Sequence, residues 1–298
     1  MLMLIPSTAL GAAITWAAAS IMAHIPAKRL GAFEFTRVQL TTSAVVLAAI
    51  VTGMGTWETV SWVHWPQLAI SALIGVLLGN LALGECLKRG GPRRTQLLFA
   101  MNAPISAILG YGFLGETIPT QALWGSGLTL VGVVLAILFG NTRRAQHAYE
   151  TVEGSLVSVV FLGLIAATSQ AVGLITIKPA IMAGTDPLAA SAIRILLSAF
   201  VAGLIAVWPA HILQPATKPT GATVLWAIAP GLLGYVVATT LLLLALRNHS
   251  VAVVAVLGST VPVMVLPMIW LITRICPPLP AWIGAGLVVL GTALILNA

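Results

Sequence analysis

The sequence predicts an all-α integral membrane protein, with ten transmembrane helices arranged as two inverted five-helix repeats. Three observations carry that prediction. Of 298 residues, 59% are apolar and only 7% are charged, whereas about a quarter of an ordinary soluble domain is charged. Ten segments approach the roughly 20 apolar residues that a bilayer-spanning helix needs. Residues of one type recur at matching intervals in the two halves. A mean hydropathy of +1.05 and a single aspartate leave too few charges to coat a water-soluble surface. A soluble enzyme, a disordered chain and a nucleic-acid-binding domain are excluded on that ground. The net charge of +7 would point to nucleic acid in a soluble protein. Here the cations lie mostly between apolar runs, where membrane topology explains them.

In chain order the apolar segments are 3–24, 32–53, 67–87, 95–115, 120–140, 155–177, 188–208, 223–246, 250–272 and 280–297. The first lacks a basic leader and a cleavage site, so it reads as a retained spanning helix. Breakers separate the segments: Pro26–Gly31, Gly53–Pro66, Lys88–Pro92, Glu116–Pro119, Pro179–Pro187, Pro209–Pro219 and Cys276–Pro280. Asp186 followed by Pro187 reads as an N-cap with proline at the first helical position. Residues 141–153 form the most polar linker, close to the midpoint. The chain therefore divides into a first repeat, 1–140, and a second, 154–298. Cys86 and Cys276 give neither a disulfide framework nor a metal spacing.

The duplication shows in register. Arg37, Arg89, Pro104 and Trp124 are separated by 52, 15 and 20 residues, and Arg194, Arg247, Pro262 and Trp282 by 53, 15 and 20. Five helices per half is an odd number, so the second copy enters the membrane from the opposite side. That inverted plan is common among secondary transporters, which hold substrate near the midplane between the halves.

Stretches in both halves resemble the drug/metabolite transporter superfamily, in its EamA-type ten-helix form. The residues are Gly31 to Arg37, Asp186 to Arg194, Leu98 to Pro104 continuing through Leu114-Gly-Glu116, Trp124 to Gly132, and Trp282 to Gly291. Their order and spacing are more specific than any one motif. The chain departs from the pattern at the end of the ninth segment, where Thr273-Arg274 stands in place of a glutamate. The resemblance implies an integral membrane transporter of small metabolites or xenobiotics, often an exporter, and no cofactor.

Alternation of the segments places Lys28, Arg29, Lys88, Arg89, Arg93, Arg94, Arg143, Arg144, Lys218 and Arg274 in loops on one side, against Lys178 and Arg247 on the other. The basic side is expected to be cytoplasmic, with both termini outside.

Charged residues within or bordering the spans are the first site candidates. Arg37 and Arg194 read as gating or structural charges, with direct binding of an anionic group as the competing role. Glu116 reads as a helix-end anchor or gate. Glu85 has Arg89 four residues on and reads as a local ion pair. None of the carboxylates falls at mid-membrane, which weakens an assignment of proton coupling while leaving it among the options. A second set comprises mid-depth polar and aromatic side chains, which need partners in lipid. Trp16, Asn80, Asn102, Gln170, Tyr235, Thr239 and Ser259 are expected to line a substrate pocket, with interhelical hydrogen bonding as the alternative use. Pro104 and Pro262 each free a mid-helix carbonyl and are candidate hinges. The glycine-rich fifth and tenth segments read as packing or dimer faces, compatible with a monomer or a homodimer.

No phosphate loop, zinc motif or paired aspartates occur, so the chain is not expected to be an enzyme. The expected function is a secondary transporter in a bacterial inner membrane, exporting a small metabolite such as an amino acid or amphipathic compound by alternating access. A multidrug exporter of cationic xenobiotics is the alternative, followed by a membrane-embedded transferase.

Overall fold

The computed structural model describes residues 4–115, 119–139, 154–207, 220–246 and 261–296. Among these residues every regular element is helical. We label the spans α1 (Leu4–Leu30), α2 (Ala32–Met54), α3 (65–90), α4 (92–114), α5 (Thr120–Phe139), α6 (Leu156–Met182), α7 (Pro187–Ala206), α8 (221–246), α9 (Val261–Thr273) and α10 (Leu279–Leu296). Together they form the ten-helix, two-repeat bundle. Five described stretches are long and apolar enough to cross a bilayer: 32–54, 62–99, 156–182, 187–206 and 221–245. Large apolar side chains face outward, among them Val45, Phe113, Trp124, Phe161, Phe200 and Leu271. Arg194, Ser43, Ser71 and Ser198 are buried. A lipid solvent favours that arrangement, because it cannot hydrogen-bond polar groups at the surface of the bundle.

Two turns are almost without loop. Gly31 (φ 80°) separates α1 from α2, and Gly91 (φ 76°) separates α3 from α4, a left-handed backbone that glycine adopts without strain. The second turn corrects an expectation. Pro92 opens α4 three residues earlier than 95, so Arg93 and Arg94 sit in its first turn, 2% and 3% exposed, rather than in a loop. Lys28, Arg29, Lys88 and Arg89, also expected in loops, lie in the last turns of α1 and α3 at the same face. Pro26 and Pro179 do not end their helices either: α1 runs on to Leu30 and α6 to Met182. Both prolines lie close to a helix end, where few carbonyls are affected, and membrane helices re-satisfy such groups locally. Lys28 and Arg29 occupy the last turn of α1, where cations suit the dipole. The Asp186 cap forms as expected, with Oδ1 accepting from the N–H of Leu188 at 2.9 Å and of Ala189 at 3.4 Å.

The two halves interlock. The main apolar core draws on α2, α3, α6, α7 and α8 through Leu40, Leu47, Leu68, Leu174, Ile195 and Leu243. On the face where α2 and α6 end, the loops after these helices are tied together. The N–H of Ser61 donates to Thr185 Oγ1, and that of Asp186 to Thr59 Oγ1, each at 3.0 Å. α2 and α6 thus end on one face although they are second and first in their halves, which is the geometric statement of inversion. We call this the loop face and the opposite one the basic face.

The glycines of α5 and α10 serve each other. A Cβ at Gly132 would lie 2.6 Å from the Gly284 carbonyl oxygen, and one at Gly284 would lie 2.5 Å from Ala136 Cβ. Close backbone approach of this kind is the usual role of small residues between membrane helices.

Two short wide-turn segments interrupt the regular helices. Ser71–Leu78 in α3 and Leu232–Ala238 in α8 have π-helical hydrogen bonding. With a repeat offset of 158 residues, taken from Pro104 and Pro262, these stretches overlap. Such turns are rare and occur often at functional sites. No sequence pattern in the chain signalled them.

Candidate functional site

Two small chambers lie along the seam between the halves. The inner one, about 20 Å³, is lined by α1, α3, α4, α6, α7 and α8. It brings together Trp16, Asn80, Gln170, Tyr235, Thr239 and Arg194, residues scattered over both repeats in sequence. The outer chamber, about 60 Å³, shares Trp16, Asn80 and Tyr235 with the inner one. It continues toward the basic face past Ala23, Thr36, Leu87 and Thr95. A cavity needs only about 10–15 Å³ to hold a water, but a solute pocket takes several hundred. In this conformation both chambers are water-sized.

Local structure positions the lining. Trp16 meets Phe99 edge-on at 5.9 Å and 74°, a favoured aromatic geometry. Asn80 follows the wide turn of α3 and donates Nδ2 to the Val76 carbonyl at 2.7 Å. Thr239 follows the wide turn of α8 and donates to the Gly234 carbonyl at 2.9 Å. The two wide turns thus shift carbonyls that these polar side chains satisfy. Gln39 of α2 bridges to the Ala227 carbonyl of α8 at 3.3 Å.

Arg194 is 1% exposed and lies where α3 and α6 cross most closely. A Cβ at Gly75 would fall 2.5 Å from Gly173 Cα, and a Cβ at either glycine would lie within 3.3 Å of Arg194 Nη2. Only paired glycines leave both the crossing and the guanidinium room. Ser71 Oγ donates to the Gly173 carbonyl at 2.6 Å, and Ser198 Oγ lies 2.9 Å from the Ala72 carbonyl. These serines hold α6 and α7 against α3 around the arginine.

Other candidates lie apart. Arg37 sits near the basic-face end of α2, its side chain 37% exposed, paired to Glu34 at 2.7 Å. Asn102 lines neither chamber. It is buried beside a break in α4, and its Nδ2 donates to the Phe99 carbonyl at 2.8 Å. At that break the Ala100 carbonyl accepts from Ala103, three residues on, because Pro104 has no N–H to offer. Pro262 is the second residue of the described part of α9. Ser259 and Glu116 lie outside the described residues. Glu85 pairs with Arg89 at 2.6 Å and Lys88 at 3.4 Å, the local ion pair that its spacing implied. Among the described residues no group of three or more His, Cys, Asp or Glu is placed to hold a metal ion.

Sequence reasoning missed Phe99 and Ser191 in the inner chamber and Gln39 and Gln96 in the outer. Gln39 carries a signal in hindsight, as an amide in an otherwise apolar run. Phe99 carries none, because an aromatic in an apolar helix looks the same facing lipid or cavity.

Comparison with known proteins gives one family and one fold. A solved crystal structure is similar to this chain with a TM-score of 0.73 at 17% identity, over 98% of this chain and 94% of that one. Identity at that level establishes shared fold alone. Among curated proteins no sequence matches. The EamA-like transporter family matches residues 3–138 and again 157–297. With nearly its whole length matched in two copies, the chain belongs to the EamA-like transporter family, as an integral multi-pass membrane protein of a family that transports small solutes.

Proposed function

We propose that this chain is a secondary carrier that exports a small zwitterionic or amphipathic metabolite, such as an amino acid, by alternating access. The observation that carries the reading is the inner chamber itself. Five spans drawn from both repeats direct amide, hydroxyl, indole and guanidinium groups into one buried space. Apolar packing alone gives no reason to gather them there, since each needs a partner in lipid. The outer chamber leads from this space toward the basic face, whereas at the loop face the main core and the Thr59–Asp186 and Ser61–Thr185 hydrogen bonds join α2 and α3 to α6 and α7. With the basic face in the cytoplasm, solute reaches the chamber from inside the cell, which fits export from a bacterial inner membrane. The wide turns of α3 and α8 and the break before Pro104 are the natural places to bend. Among the described residues no carboxylate lines either chamber, which disfavours a purely cationic solute. The glycine faces of α5 and α10 are used on each other, which fits a monomer without requiring one.

Purified protein in liposomes tests the reading. Saturable uptake of radiolabelled leucine or phenylalanine, accelerated by unlabelled solute on the far side, is the expected result. Linear flux with no counterflow would overturn it in favour of a channel.

A further inference from the structure

We propose that Arg194 anchors a carboxylate of the transported solute, so that the carrier accepts small organic acids and zwitterions and rejects solutes that are only cationic. This rests on the carrier reading and narrows its substrate class.

Four observations converge. First, Arg194 is 1% exposed yet lines the inner chamber together with Trp16, Asn80, Gln170 and Tyr235. Second, among the described residues no carboxylate pairs with it, and its Nε has no hydrogen-bond partner. Its counterpart Arg37 has Glu34 three residues earlier, whereas the residue three before Arg194 is Ser191. The second repeat keeps the cation and lacks the internal acid. Third, the space around the guanidinium is built, since a side chain at Gly75 or Gly173 would press on Nη2. Fourth, among the described residues no acid lines the chamber, whose other walls include the aromatic Trp16, Phe99 and Tyr235 and the apolar Val76, Leu83 and Ile195, a lining that takes the apolar body of a solute.

An uncompensated buried cation is costly, and charges are normally paired when buried. Arginine presents a planar fork that matches a carboxylate with two parallel hydrogen bonds. With no acid beside it among the described residues, that fork is left for a ligand.

Thermal unfolding of the detergent-solubilised full chain tests this with matched probes: phenylalanine and 3-phenylpropionate, which carry a carboxylate, and phenylalaninamide, which does not. Both acids should raise the wild-type Tm, and the amide should not. Arg194→Gln should weaken acid binding about 10- to 100-fold, the range that loss of a charge-assisted bond implies. Arg194→Lys should restore part of it, as charge without the fork. Without ligand, Arg194→Gln should match or exceed the wild-type Tm, because it removes a lone buried charge. A ligand-free Tm below wild type assigns the side chain to packing and overturns the proposal. Equal binding of the amide, acid binding unchanged in Arg194→Gln, or no response to either acid overturns it as well. If Arg194→Gln does not fold, Ser191→Glu carries the test. It places an acid beside Arg194 and should suppress acid binding, and undiminished binding would sink the idea. Counterflow separates the two claims. An acid that binds but shows no saturable counterflow defeats the carrier reading and leaves the anchor, whereas counterflow of the amide alone defeats the anchor and leaves the carrier.

Discussion

Arg37 and Arg194 stand at matching places in the two repeats, and the fold puts them to different uses. Arg37 lies near the basic face, half-buried and neutralised by Glu34 at 2.7 Å. Arg194 is fully buried at the crossing of α3, α6 and α7, with a chamber beside it and no acid of its own among the described residues. Ser191 in place of a second Glu34 accounts for much of the difference. Duplication therefore supplies a symmetric scaffold, while one residue per copy decides whether a charge is structural or available.

The largest expected effect comes from equalising the two sites. Ser191→Glu should lower counterflow of carboxylate solutes about 100-fold, since a charge-assisted bond of up to roughly 3 kcal/mol is diverted. Glu34→Ser, the mirror change, should leave counterflow within about twofold, because the pair lies near the basic face and lines neither chamber. If both variants lose transport equally, the asymmetry we describe is false.

Packing around the arginine comes next. Gly173→Ala puts a Cβ 2.7 Å from Gly75 Cα, and overpacking of that kind costs about 1–3 kcal/mol. A fall in Tm in detergent is expected. Gly203→Ala, with nothing within 4 Å of the added carbon, should leave Tm the same or slightly higher. Equal losses would mean that the crossing tolerates slack.

A third contrast separates lining from support. Gln170→Leu should lower transport several-fold without affecting folding, because Gln170 lines the inner chamber. Asn102→Leu should instead lower stability by about 1 kcal/mol, the worth of its bond to the Phe99 carbonyl. Reversal of the two phenotypes would move the site toward the break in α4.

The smallest effect is at the loop face. Thr185→Val removes the acceptor of the Ser61 N–H and should cost no more than about 1 kcal/mol. It should also shift access: a cysteine at Thr59 should react faster with an impermeant maleimide. An unchanged labelling rate would remove these loops from the gate.

The sequence by itself determined the membrane class, the ten spans and their inversion, because lipid leaves helices few alternatives and the apolar runs and repeated intervals are local in sequence. It also marked Trp16, Asn80, Gln170, Tyr235, Thr239 and Arg194 as polar or aromatic groups that could not face lipid. Their convergence was decided by tertiary packing. The sequence did not separate Asn102, which supports a helix break, from Asn80, which lines the chamber, since both are mid-helix amides. Periodicity cannot register the wide turns of α3 and α8, because those turns alter the period itself. The two arginines looked alike as residues in register. Glu34 against Ser191 is a local difference in the sequence, but the depth of Arg194 comes from a helix crossing nearly a hundred residues apart in the chain, where Gly75 and Gly173 leave room for its guanidinium.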